Sequence, residues 1–252
     1  MDIAATLPSP TSPAPGADAQ HQRRARIAGV LFLVTFVSAI AGAQLYGAAL
    51  TDPDFVLGDA SDTGPLLGAV CELILIAANI GTALTLFPLL RGRFPALSLG
   101  YVAARLVECG FIAVGILSVL TVVSLHRSPA DDPATAVTAG AFVALHDWTF
   151  LLGPGFVVGL GNGLLLGWMM YRSRLVPRWM AWCGLIGGPL VALSGIAVLF
   201  GAYGQFSPVS AVLTLPEIVW EGALGVWLVV KGVRPRAQED TGRLTTSHGR
   251  QR

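Results

Sequence analysis

Five ionisable side chains stand inside runs of sequence that are otherwise apolar: Glu72, Arg105, Glu108, Glu217 and Glu221. Asn79 shares one of those runs, and Asn162 stands in another, which has His146 and Asp147 near its start. Their spacing groups them. Glu72 and Asn79 are two helical turns apart, Arg105 and Glu108 are at i,i+3, and Glu217 and Glu221 are at i,i+4. Each set therefore shares one helix face. Carboxyl groups in an apolar setting can pair with a guanidinium, relay protons or meet a solute. A histidine beside a carboxylate could add general acid–base chemistry.

These groups need elements to hold them, and the composition says what kind. Of 252 residues, 54% are hydrophobic and 12% are charged, against about 25% charged in an ordinary soluble domain. Six long apolar runs cover residues 26–47, 64–90, 97–125, 143–171, 177–201 and 209–231. About 20 apolar residues cross a bilayer, and backbone groups in lipid must be paired within the segment. The chain is therefore expected to be an all-α polytopic membrane protein, with six transmembrane helices in one bundle over residues 23–236. Residues 1–22 and 237–252 are polar and aperiodic, and read as disordered cytoplasmic tails. Pro154-Gly155 and Gly187-Gly188-Pro189 are candidate interruptions of the fourth and fifth spans.

Charge is segregated along the chain. Arg23, Arg24 and Arg26, then Arg91 and Arg93, then Arg172, Arg174 and Arg178, then Lys231, Arg234 and Arg236 all fall at one end of the spans. Asp52, Asp54, Asp59, Asp62, His126, Arg127, Asp131 and Asp132 fall at the other. Positive loops stay in the cytoplasm, so both termini are expected there. The first run also fits a cleavable leader, with Ala41-Gly42-Ala43 before Gln44. Cleavage would leave five spans and an outside N-terminus; the run's length favours a span.

Facing lipid, four glutamates and one arginine would cost roughly 12–17 kcal/mol on insertion scales. They should face each other or water. The simplest arrangement sets spans two, three and six side by side around Arg105. One guanidinium can grip one carboxylate bidentately and touch a second. Four glutamates exceed that capacity, so some carry protons or a watered cavity opens toward the outer face. The bland alternative is that the charges only fix helix register. His126 and His146 lie at the outer interface, where a histidine is commonly just solvated, and Asp147 is a candidate cap for the fourth helix. Trp148, Trp168, Tyr171, Trp179 and Trp182 suit an aromatic belt, while Trp220 and Trp227 suit packing.

Several chemistries find no motif. Cys71, Cys109 and Cys183 form no CxxC pair, and the four histidines offer no three-ligand set, so no metal and no cofactor is expected. Neither HExxH nor a nucleophile elbow occurs, so an enzyme is disfavoured. Gly159-Leu160-Gly161-Asn162-Gly163 misses the dinucleotide spacing and follows no strand. Net charge is +1, which argues against nucleic acid. Gly159, Gly163 and Gly167, with Gly184 and Gly188, put small residues along one face and permit close helix contact.

The chain resembles the bacterial membrane family catalogued as domain of unknown function 4386, over about residues 23–234. The likeness rests on Arg26-Ile27-Ala28-Gly29, Glu72 with Asn79, and Tyr101 with Arg105 and Glu108. It rests most on Leu215-Pro216-Glu217, Glu221-Gly222 and Trp227-Leu228-Val229-Val230-Lys231-Gly232. The resemblance implies six membrane helices and an unassigned function. Arginine outnumbers lysine fifteen to one and alanine and glycine abound, a bias that suits a GC-rich bacterial genome, and the expected location is the bacterial cytoplasmic membrane. Two functions remain open: a small-solute or proton-linked transporter using the polar cluster, or a structural or regulatory protein whose cluster locks the bundle. The expected partners are the lipid bilayer, with a small solute or proton, and another membrane protein or a second copy.

Overall fold

A computed structural model describes residues 15–52, 54–128 and 133–234. Six helices in it are long and apolar enough to cross a membrane. They are α1 (Pro15–Thr51), α2 (Thr63–Leu90), α3 (Pro95–His126), α4 (Pro133–Ser173), α5 (Arg178–Leu199) and α6 (Pro208–Val230). All six expected runs fall on these helices, and no strand occurs among the described residues. Proline opens α3 and α6, where its missing N–H costs nothing. The Ser207 hydroxyl caps α6 by accepting the Ser210 N–H at 3.2 Å.

Two helices start earlier than hydropathy suggests. Residues 15–22 belong to α1 rather than to a tail. Gln22 ties this turn down: its side chain donates to the Val233 carbonyl at 2.5 Å and accepts the Val233 N–H at 3.2 Å. Residues 1–14 and 235–252 lie outside the described residues, and the expectation of disorder there lies with them. The fourth span begins at Pro133, ten residues before the apolar run. Its first turns are rich in Ala and Thr, which can be helical without being strongly apolar.

The packing order is a closed ring in sequence order. Each helix lies against the next, and α6 returns to α1. This corrects the expected neighbourhood of spans two, three and six, because α6 packs between α1 and α5. Small residues set the contacts. A Cβ on Gly29 of α1 would lie 2.8 Å from the Gly225 carbonyl oxygen of α6. One on Gly68 of α2 would lie 2.7 Å from the Tyr46 ring of α1. Between α4 and α5, a Cβ on Gly159 would lie 2.5 Å from the Gly188 carbonyl oxygen, and one on Gly167 3.3 Å from Leu185 N. In lipid, association rests on such close packing and not on hydrophobic exclusion.

The two ends of the ring differ. At the basic end the Arg234 N–H donates to the Leu175 carbonyl at 3.0 Å. Beside it, Phe32, Tyr101, Met169, Met170, Met180, Trp220 and Leu224 form a continuous core. At the acidic end Arg127 pairs with Asp62 at 2.6 Å. His126 is not simply solvated: its Nε2 lies 2.9 Å from the Ala60 carbonyl oxygen and its ring packs 4.8 Å from Phe55. Trp148, Trp168, Trp179 and Trp182 are exposed, as a belt requires, and Trp220 is fully buried.

The α4–α5 contact yields a stability prediction. Gly188→Ala should destabilise by about 1–3 kcal/mol, because the added methyl meets backbone on α4 that cannot yield. Gly140→Ala, where nothing lies within 4 Å, should be neutral or mildly stabilising. Thermal melts of the two variants in detergent, against the parent, check the pair.

Candidate functional site

The fourth span changes winding in mid-membrane. Its ends are α-helical, but Leu151–Val157 and Gly159–Leu166 follow the wider i→i+5 pattern. Pro154 has no N–H to give, so one bond of the i→i+4 ladder is missing there. Pro189 and Pro216 leave the same gap in helices that keep regular winding, so the proline alone does not widen the turns. Five glycines between 153 and 163 bring no side chain to crowd the widened turns. The expected interruption at Pro154-Gly155 is therefore real, and takes the form of widened turns. The one at Gly187-Gly188-Pro189 is not found, since α5 runs through it unbroken.

Beside this stretch stands the arginine. Arg105 is 3% exposed. Its Nη1 donates to Glu108 Oε2 at 2.7 Å, and its Nε donates to the Tyr101 hydroxyl at 3.3 Å. The guanidinium also stacks over Phe32 at 5.6 Å and over Tyr101 at 5.9 Å. Asn79 donates to the other Glu108 oxygen at 2.9 Å. The pairing is thus single, not the bidentate grip expected, because Asn79 takes the second oxygen. The result is a closed clasp between α2 and α3, stacked on a ring from α1.

Glu72 stands apart from the arginine. It accepts the Tyr46 hydroxyl at 2.7 Å, across the α1–α2 contact that Gly42 and Gly68 keep close. Its partner is a helix the sequence reading did not bring to the cluster. Tyr46 in turn meets His146 edge-on, with ring centroids 5.5 Å apart. His146 is buried, contrary to the expectation of a solvated interface residue. Asp147 is exposed and lies well inside α4, so it cannot cap that helix. Only 3.8 Å separates its Oδ1 from His146 Nδ1.

The remaining carboxylates meet α4. Asn162, in the widened stretch, donates its side-chain amide to Glu221 Oε1. Trp220 donates its indole N–H to the Asn162 carbonyl at 3.0 Å. Glu221 is half-buried and within electrostatic reach of Arg105 and Glu108. Glu217 is 3% exposed, and neither of its oxygens finds a hydrogen-bond partner among the described residues. A cavity of about 250 Å³ opens between α4 and α5 at the acidic end, beside Asp147 and Leu151. Neither Glu72 nor Glu217 lines it.

The family described as Domain of unknown function (DUF4386) matches residues 27–232. The chain belongs to this family. No curated protein and no solved structure matches it. With six helices long and apolar enough to span, this DUF4386 protein is a multi-pass integral membrane protein.

Sequence reasoning missed Tyr46 and Phe32. Both lie in a run of mostly apolar residues, and only the packing of α1 against its neighbours, close at Gly68, brings them to Glu72 and Arg105. The tyrosine hydroxyl was the one available signal. The clasp generates a prediction. Arg105→Gln leaves Glu108 buried without its cation and should destabilise the bundle by about 3–5 kcal/mol. Replacing Arg105 and Glu108 together by leucine should recover most of that loss. Thermal melts of the three proteins in one detergent check the cycle.

Proposed function

We infer that this protein is a small-solute carrier whose movement is linked to a proton or another small cation. The observation that carries the reading is the widened, proline-interrupted stretch of α4, set against Asn162, Glu221 and Glu217 at mid-membrane. Carriers bind solute and coupling ion where a spanning helix departs from regular winding. Irregular winding is otherwise costly in lipid, and wide turns recur at functional sites. The described conformation buries Glu217, as an occluded state of a carrier would.

A second reading has its own observation. Asn79, Arg105, Glu108 and Tyr101 are bonded to one another, as in a purely structural lock. On that reading the protein is a structural or regulatory membrane component. In both readings we take the basic end as cytoplasmic and the membrane as a bacterial inner membrane, on the charge of the loops and the arginine bias.

The test is flux. Proteoliposomes carrying a pH-sensitive dye inside are challenged with a panel of amino acids, sugars, organic acids and amines. The carrier reading expects at least one class to drive proton or sodium movement above protein-free liposomes. A folded, inserted protein that moves none of them supports the structural reading.

A further inference from the structure

Two buried side chains of the polar centre keep acceptor oxygens that nothing among the described residues answers. Glu217 is 3% exposed and both of its carboxyl oxygens lack a donor. Asn162 is fully buried; its amide N–H is spent on Glu221, and its Oδ1 accepts nothing. The two are neighbours at the junction of α4, α5 and α6. A Cβ on Gly163, the residue after Asn162, would lie 2.5 Å from Glu217 Oε2, and one on Gly187 would lie 2.9 Å from the same oxygen.

Charge in this junction is out of balance. The charged groups within reach of Glu217 are Glu221 on its own helix and Arg105 from α3. Arg105 is already held by Glu108. The α5 face presents Gly187 and Gly188, and α1 meets α6 through Gly29, Phe32 and Leu33, none of which carries charge. Buried acceptors without donors are costly, so a group of positive charge or a donor belongs there. An oxygen-only set suits a hard ion or a proton and not a soft metal. A divalent ion would bring more positive charge than the single unpaired carboxyl answers, so a monovalent one fits the junction better.

We propose that Glu217 and Asn162 form the binding site of one small monovalent cation, a proton or a sodium ion. This rests on the carrier reading for its purpose, as the coupling ion, but not for its chemistry. The cation joins the carboxyl of Glu217 and the amide oxygen of Asn162 and lowers the local negative excess. Glycine at 163 and 187 lets the α4 and α5 backbones close on the carboxyl, where a Cβ would lie 2.5 and 2.9 Å from Oε2, and the tight walls leave little room for a larger ion.

The experiment uses the full chain in nanodiscs of neutral lipid. Infrared difference spectra are taken between two pH values in choline chloride, and between choline chloride and sodium chloride at one pH. Wild type should give a carboxyl band that changes in the pH series, for a proton, or in the sodium series, for sodium. Glu217→Gln should lose that band, and Asn162→Ala should move its midpoint roughly tenfold in cation concentration. Identical spectra from wild type and a folded Glu217→Gln in both series overturn the proposal. Should the variants melt early, wild type alone decides. Its melting temperature must change with pH or rise when sodium replaces choline, and a flat response to both overturns the site. A cation response without solute flux keeps the site and removes the carrier reading. Solute-driven flux left intact by Glu217→Gln keeps the carrier and overturns the coupling role given to the site.

Discussion

The ion pair between Arg105 and Glu108 is the constraint around which the bundle is arranged. A guanidinium in mid-membrane has few affordable environments: a carboxylate, hydroxyl or amide partner, or an aromatic face. Here it has a carboxylate, a hydroxyl and two rings. Meeting those demands draws α1, α2 and α3 together, with Phe32 and Asn79 as the contributions of the first two. Once those three helices are fixed, the ring closes through α4, α5 and α6 in order, along contacts cut by glycine.

The excess carboxylates are then distributed by depth and not gathered on the arginine. Glu72 is satisfied by a tyrosine and Glu221 by an asparagine. Glu217 finds no hydrogen-bond partner among the described residues. This gradation separates a part of the polar centre that is complete from a part that is not. The complete part joins α2 and α3 to α1, which kinks at Gly47 beside Tyr46, and joins Glu221 to Asn162. The incomplete part lies against the widened stretch of α4.

The six spans were legible in the sequence because hydropathy over twenty residues is a local property, and the basic loops gave a consistent polarity. So were Glu72, Arg105, Glu108, Glu217 and Glu221, because a charge in an apolar run announces itself. Pro154-Gly155 marks the fourth span, but Pro189 has the same missing N–H in an unbroken helix, so the proline does not say which of the two spans widens. The neighbours of each charge were not legible. Whether Glu72 meets Arg105 or Tyr46 depends on how closely α1 approaches α2, which Gly42 and Gly68 set and no periodicity reports. Asp147 was misjudged as a cap because α4 starts in Ala- and Thr-rich sequence that hydropathy does not flag. His146 was misjudged with it, since the longer helix carries the histidine into the bundle.

The division between a closed clasp and an open acid is tested most directly by melting Glu108→Gln and Glu217→Gln side by side, with and without the cation that the wild type responds to. The account predicts that Glu108→Gln melts well below the parent yet still responds to the cation. It predicts that Glu217→Gln, which gives up no hydrogen bond, melts at or above the cation-free parent and no longer responds. Equal losses of stability in both variants, or a cation response that survives in Glu217→Gln, would contradict it.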